Sequence, residues 1–210
     1  MESNKYLEDI SEIKNMMSRS SRFISLSGLS GILAGVYALI GAYLAHGVLI
    51  EYPRTRNRTV GDEWLDFMFV EKLSLIAIGV MACAILTGIV LTLNKSKKSE
   101  EKIWNSTSKR LVLNFLIPFI TGGAFCLVLI QYKIAWLVAP ATLIFYGLAC
   151  INASKYTFGD VRYMGMVFVI LGLINTQFLG YGLYFWALGF GVCHIVYGTL
   201  MYFKYDRKQT

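Results

Sequence analysis

The chain has 210 residues, 56% hydrophobic and only 16% charged, with a formal net charge of +7. Soluble domains run at about 45–50% apolar with roughly a quarter of their residues charged. This composition, with its charges gathered between long apolar runs, therefore excludes an ordinary soluble fold. The excess positive charge falls on one side of those runs, which excludes a nucleic-acid footprint as well.

Residues 1–22 form the first expected element, a short cytoplasmic amphipathic helix. Leu7, Ile10, Ile13 or Lys14, and Met17 recur at helical spacing. Glu8, Asp9 and Glu12 come first and Lys14, Arg19 and Arg22 last, as the helix dipole favours. Such a helix can pack on the bundle or engage a cytoplasmic protein partner. The early acids and the long apolar run that follows argue against a cleaved signal peptide.

Residues 23–203 are expected to form a six-helix transmembrane bundle. A bilayer core of about 30 Å needs about 20 apolar residues per helix. Six segments qualify, at 23–46, 70–93, 111–131, 134–153, 163–179 and 183–203. The fifth is the shortest, with Asn175, Thr176 and Gln177 near its end.

Span 1 contains SGLSGILAGVYALIGA, residues 27–42, rich in small side chains. Ser27, Gly31 and Gly35 form one four-residue row, and Ala34, Ala38 and Ala42 another. Helices in lipid gain little from hydrophobic association, so close backbone contact supplies much of their attraction. These rows read as packing faces and make span 1 the expected centre of the bundle.

The external loop 47–69 carries Arg54, Arg56 and Arg58, followed by Asp62, Glu63, Asp66 and, just beyond it, Glu71. Arginine clusters bind phosphate or carboxylate, but the loop's nearly balanced charge favours pairing within itself. Asp62 is placed to start a helix running through Glu71 and Lys72 into span 2. The basic cytoplasmic loop 94–110 leads to span 3. The remaining connections are short, so neighbouring spans should be antiparallel, giving three hairpins, spans 1–2, 3–4 and 5–6. A cytoplasmic tail, 204–210, closes the chain.

With the N-terminus inside, the cytoplasmic segments hold 15 of the 20 Lys and Arg and 8 of the 13 Asp and Glu, leaving the outer face neutral. That bias sets orientation during insertion. It points to a plasma (inner) membrane protein of bacterial type with both termini cytoplasmic. Trp136 and Trp186, at the outer starts of spans 4 and 6, fit an interfacial aromatic belt.

Between the interfacial residues no span contains Asp, Glu, Lys or Arg. Ionisable groups at that depth mark proton relays and ion paths, so an ion-driven carrier or pump is not expected. The four cysteines, Cys83, Cys126, Cys150 and Cys193, sit singly in four spans and read as packing residues. His46 and His194 lie at different depths, so a shared haem is not expected. No metal or other cofactor is indicated.

What remains is neutral polarity. Counting depth along each helix puts Ser30, Thr121, Thr142 and His194 near one level, with Asn175 and Gln177 toward the outer side. His194 is the natural centre of a small polar pocket. The reading favoured by these residues is a non-enzymatic binding bundle engaging a protein partner, a lipid or a small apolar ligand. The alternative is a facilitator or channel for small uncharged solutes, with Asn175, Gln177, His194 and Thr121 lining its path. A membrane enzyme, built on His194 or on the outer acids with a metal, ranks third.

Overall fold

The computed structural model describes residues 27–51, 62–98 and 104–207. All regular elements among these residues are helical. We number them α1 (Gly28–Glu51), α2 (Asp62–Lys98), α3 (Ser106–Gln131), α4 (Val138–Ala153), α5 (Asp160–Gln177) and α6 (Gly182–Asp206). Short 3-10 turns, Ala135–Leu137 and Ser154–Tyr156, flank α4. Helix α6 is continuous but includes π-helical stretches at Ala187–Cys193 and Tyr202–Asp206.

Five of the helices, α4 counted with its flanking 3-10 turns as Ala135–Tyr156, are long and apolar enough to cross a membrane. The other, α5, has 18 residues, among them Asp160, Arg162, Asn175 and Gln177. At ~1.5 Å per residue it is about 27 Å long, just short of the ~30 Å hydrocarbon core. Helix α2 is unbroken from Asp62 through Glu71 to Lys98, about 55 Å at the same rise. It therefore absorbs parts of both expected loops, 47–69 and 94–110. The amphipathic segment 1–22 and the Arg54, Arg56 and Arg58 cluster lie outside the described residues.

Glycine decides which helices touch. A Cβ on Gly198 would lie 2.5 Å from the Ile32 backbone nitrogen, and one on Gly35 would lie 2.6 Å from the Gly191 carbonyl. Thus α1 and α6 meet backbone to backbone, as small-residue faces allow. On the opposite side of α6, Gly189 admits Leu143 of α4 and Phe168 of α5, both fully buried. Helices α4 and α5 cross at Gly147 and Gly165, where a Cβ on either would stand 2.6 Å from the other's carbonyl oxygen. These backbone approaches fall between the expected hairpins, while within two of them Gly41 of α1 meets Val80 of α2 and Gly122 of α3 meets Phe145 of α4 just as closely. Helix α1 is packed on two sides, by α6 at Gly31 and Gly35 and by α2 at Gly41, and α6 in turn lies between α1 and the α4–α5 pair, with glycine toward each.

Helices α2 and α3 lie at the flanks, α2 on α1 and α3 on α4. Leu75, Ile78, Ile85, Leu86, Leu113, Ile117, Ile120 and Leu127 are all at least half exposed. Soluble monomers rarely expose apolar surface this extensive.

Two polar devices hold the helices in register. Pro118 lacks an N–H, so the Asn114 carbonyl one turn earlier has no intrahelical donor. The Asn152 side-chain amide of α4 donates to it at 2.9 Å. At one end of the bundle, Asp206 accepts from Lys95 Nζ at 2.7 Å, the Gly28 backbone N–H at 2.9 Å and the Ser27 hydroxyl at 3.4 Å. One carboxylate thereby ties the end of α6 to the end of α2 and the start of α1. It also lies where the helix dipole of α1 favours negative charge.

Candidate functional site

Two places in the bundle combine polarity with shape: an aromatic cluster around His194, and a groove between α5 and α6.

His194 is buried, and its Nε2 is 2.7 Å from the Tyr146 hydroxyl of α4. Its Nδ1 lies 3.5 Å from the Gly189 carbonyl oxygen, within the π-helical part of α6. A carbonyl can only accept, so this geometry puts the ring proton on Nδ1 and makes Tyr146 the donor to Nε2. Phe168 and Phe190 enclose the pair, with ring centroids 4.9 and 5.0 Å from Tyr146 and 5.3 and 6.0 Å from His194. Such spacings are those of favourable tilted, edge-to-face and offset-stacked aromatic contacts. The cluster is a packed joint between α4, α5 and α6 in which the histidine is satisfied.

The polar residues read as its companions lie elsewhere. Ser30 donates to the Ser27 carbonyl at 2.6 Å, Thr142 to Ala139 at 2.7 Å and Thr121 to Ile117 at 2.8 Å. Each bonds within its own helix, a habit of Ser and Thr in helices. Thr121 and Gln177 are exposed on the outside of the bundle, Gln177 bonding Thr176. Asn175 is buried, with its Nδ2 unpartnered among the described residues. Gly31, Gly35, Ala38 and Ala42 face neighbouring helices, Gly31 and Gly35 toward α6, with Ala38 and Ala42 buried. Glu71 is exposed on α2, and Asp66 lies in its opening turns. His46 sits at the far end of α1, edge-on to Tyr184 at 6.4 Å. Among the described residues no three His, Cys, Asp or Glu side chains gather to hold a metal ion.

The groove was not anticipated from the sequence. Because α5 is drawn onto α4 by the Gly147–Gly165 crossing, it leaves an open channel of about 710 Å³ against α6. Such a volume is in the range of small-molecule sites, roughly 300–1,000 Å³. Its walls are apolar: Tyr163, Met164 and Val167 from α5, and Val192, Val196 and Leu200 from α6. Val167, Val192, Val196 and Leu200 are all more than 40% exposed, so the groove opens sideways, away from the bundle.

Charge appears at one end only. Lys204 Nζ lies 3.0 and 2.7 Å from the two carboxylate oxygens of Asp160, and the Tyr205 hydroxyl donates to the nearer one at 2.8 Å. Partial burial alone would raise the Asp160 pKa, but the hydrogen bonds from Lys204 and Tyr205 and the ammonium charge outweigh it and hold the carboxyl below its ordinary value. Asp160 is therefore ionised at neutral pH. The stabilisation it gives is complete above the ordinary carboxylate range and is lost as pH falls through the lowered value. Behind this pair, the Tyr197 hydroxyl is buried without a partner among the described residues. Both charges stand at helix ends, so the sequence marked them only as interfacial.

No protein-family model matches the chain, and neither a curated relative nor a solved structure resembles it significantly.

Proposed function

We propose that the chain is a six-span membrane protein that acts by binding, and that the groove between α5 and α6 holds an elongated apolar molecule. The observation that carries this reading is the shape and polarity of the groove. It is open on the face turned away from the bundle, apolar along its length, and charged at a single end. A lipid chain, or an apolar molecule dissolved in the bilayer, can enter it sideways without crossing water. Catalysis has less support. The only deeply placed histidine is held by Tyr146 and Gly189 among phenyl rings, and no carboxylate orients it. A solute path is disfavoured by the same rings and by the outward position of Thr121 and Gln177.

In this reading α5 completes the six spans despite its shortness, and both chain ends are cytoplasmic. Ser27, Lys95, Asp160, Lys204 and Asp206 are joined by hydrogen bonds at one end of the bundle, in two clusters. That end carries Lys95, Lys97, Lys98 and Lys204, and the positive-inside rule assigns such basic ends to the cytoplasm. Single cysteines placed at Arg56 and Lys97 test the orientation. An impermeant maleimide added outside should label Arg56→Cys and reach Lys97→Cys only after permeabilisation. The opposite pattern inverts the map.

Filling the groove tests the binding reading. Val196→Trp and Leu200→Trp each place a large ring in the channel from an exposed position. Either should weaken retention of a fluorescent long-chain amphiphile by about tenfold or more, the equivalent of ~1.4 kcal/mol, with unchanged thermal stability. Unaltered retention in both variants rejects the groove as the site.

A further inference from the structure

Resting on the groove as binding site, we infer that its occupant is one phospholipid of the cytoplasmic leaflet bearing a phosphoethanolamine headgroup, seated across Asp160 and Lys204. Length supplies the first argument. The α6 wall runs from Lys204 to Val192, about 18 Å at the helical rise. Half of a ~30 Å hydrocarbon core is about 15 Å. The groove is thus one leaflet deep, with its charged end at the interface and its apolar end near mid-membrane. A molecule that fits it has a single polar end and a chain reaching the bilayer centre.

Charge complementarity supplies the second. The mouth presents a cation and an anion side by side, 2.7 Å apart. Lys204 is the more open of the two, its side chain 56% exposed against 33% for Asp160. A headgroup carrying both a phosphate and a primary ammonium can complete a neutral ring. Lys204 turns its ammonium to the phosphate, and the headgroup ammonium takes its place on the Asp160 carboxylate. Tyr205 keeps its hydrogen bond to Asp160 throughout, so the carboxylate is never left bare. Every contact in that ring is charge-assisted.

Other headgroups lose one part of this arrangement. An anionic headgroup such as phosphoglycerol gains Lys204 but sets its phosphate beside the Asp160 carboxylate. A choline headgroup carries positive charge but has no N–H to donate. A diacylglycerol has neither charge and leaves the Asp160–Lys204 pair as it stands.

Native mass spectrometry of the full chain, titrated with phosphatidylethanolamine, phosphatidylcholine, phosphatidylglycerol and diacylglycerol of one chain length, reads the ranking directly. Phosphatidylethanolamine should bind about tenfold more tightly than phosphatidylglycerol or diacylglycerol, with phosphatidylcholine between. Asp160→Asn should bring phosphatidylethanolamine down to the phosphatidylcholine level, while Asp160→Glu keeps the preference. Lys204→Gln should weaken all three phospholipids and leave diacylglycerol unchanged. If the wild-type chain binds phosphatidylglycerol or diacylglycerol as tightly as phosphatidylethanolamine, and Val196→Trp still removes them all, the headgroup inference falls and the groove stands. If Val196→Trp removes none, the groove reading falls with it. The wild-type ranking decides the matter even where Asp160→Asn lowers stability, because it needs no variant.

Discussion

Gly198→Leu should abolish the folded, detergent-solubilised protein, while Gly88→Leu at an equally helical position should melt within a few degrees of wild type. An ideal Cβ at residue 198 would lie 2.5 Å from Ile32 N, 2.7 Å from Gly28 O and 2.9 Å from Gly31 C. All three are backbone atoms of α1, which cannot rotate away as a side chain can. The two central helices would have to separate, and with them the contact that joins α1 and α2 to the rest. Overpacking inside a well-packed core costs about 1–3 kcal/mol even where side chains can shift, so a clash wholly with backbone should exceed that range. Around Gly88 no atom stands within 4 Å of the added Cβ, and losing a helical glycine gains about 0.5–1 kcal/mol.

The same geometry grades the neighbouring positions. Gly35→Ala meets the Gly191 carbonyl at 2.6 Å, whereas Gly31→Ala first meets Gly198 Cα at 3.1 Å. The first should therefore lower the thermal midpoint clearly more than the second, and Leu at either position should be worse than Ala. Equal melting of Gly31→Leu, Gly35→Leu and Gly88→Leu would falsify the close crossing of α1 and α6.

That face of α1 was legible in the sequence because small residues at four-residue spacing need no knowledge of a partner. The same habit shows in span 6, where Ala187, Gly191 and Ile195 run beside Gly189 and Cys193, but a π-helical stretch alters the facing of the turns before Cys193 and so hid which face meets α1. Level along a helix was countable in the sequence, since rise per residue is nearly constant. Rotation about each helix axis was not, and it decides contact. Counting residues sets Ser30, Thr121 and Thr142 at the level of His194, yet each bonds its own helix. Tyr146, which does reach the histidine, reads in an apolar run as bulk. Pro118, by its missing N–H, leaves the Asn114 carbonyl open to a donor from another helix, and Asn152 on the next span is that donor. The groove had no signal of its own in the sequence. It follows from α5 leaning on α4, a choice made by Gly147 and Gly165 together, which the expectation of an α5–α6 hairpin hid.

Tyr146→Phe and His194→Leu should each destabilise the bundle by about 1–3 kcal/mol, yet the double variant should lose clearly less than their sum. The reason is what each single change leaves behind. Removing the hydroxyl strands the His194 Nε2 lone pair among Phe168 and Phe190, and removing the imidazole leaves the Tyr146 hydroxyl only the weakly bonding Cys150 thiol beside it. A buried polar group without a partner carries its full desolvation cost, about 1–3 kcal/mol, whereas replacing both partners by apolar groups can be nearly neutral. Interhelical hydrogen bonds in membranes measure ~0.6 kcal/mol on average and up to about 1.7. The enclosed, 2.7 Å contact between Tyr146 and His194 belongs toward the upper end, so a coupling energy near 1 kcal/mol is expected from the cycle. A strictly additive cycle in reversible unfolding would show that the two side chains do not meet. Amphiphile retention measured on the same variants separates structure from function. The lining of the groove does not include Tyr146 or His194, so Tyr146→Phe should lower stability and leave retention intact. Loss of retention at unchanged stability would move the binding site to His194 and away from the groove.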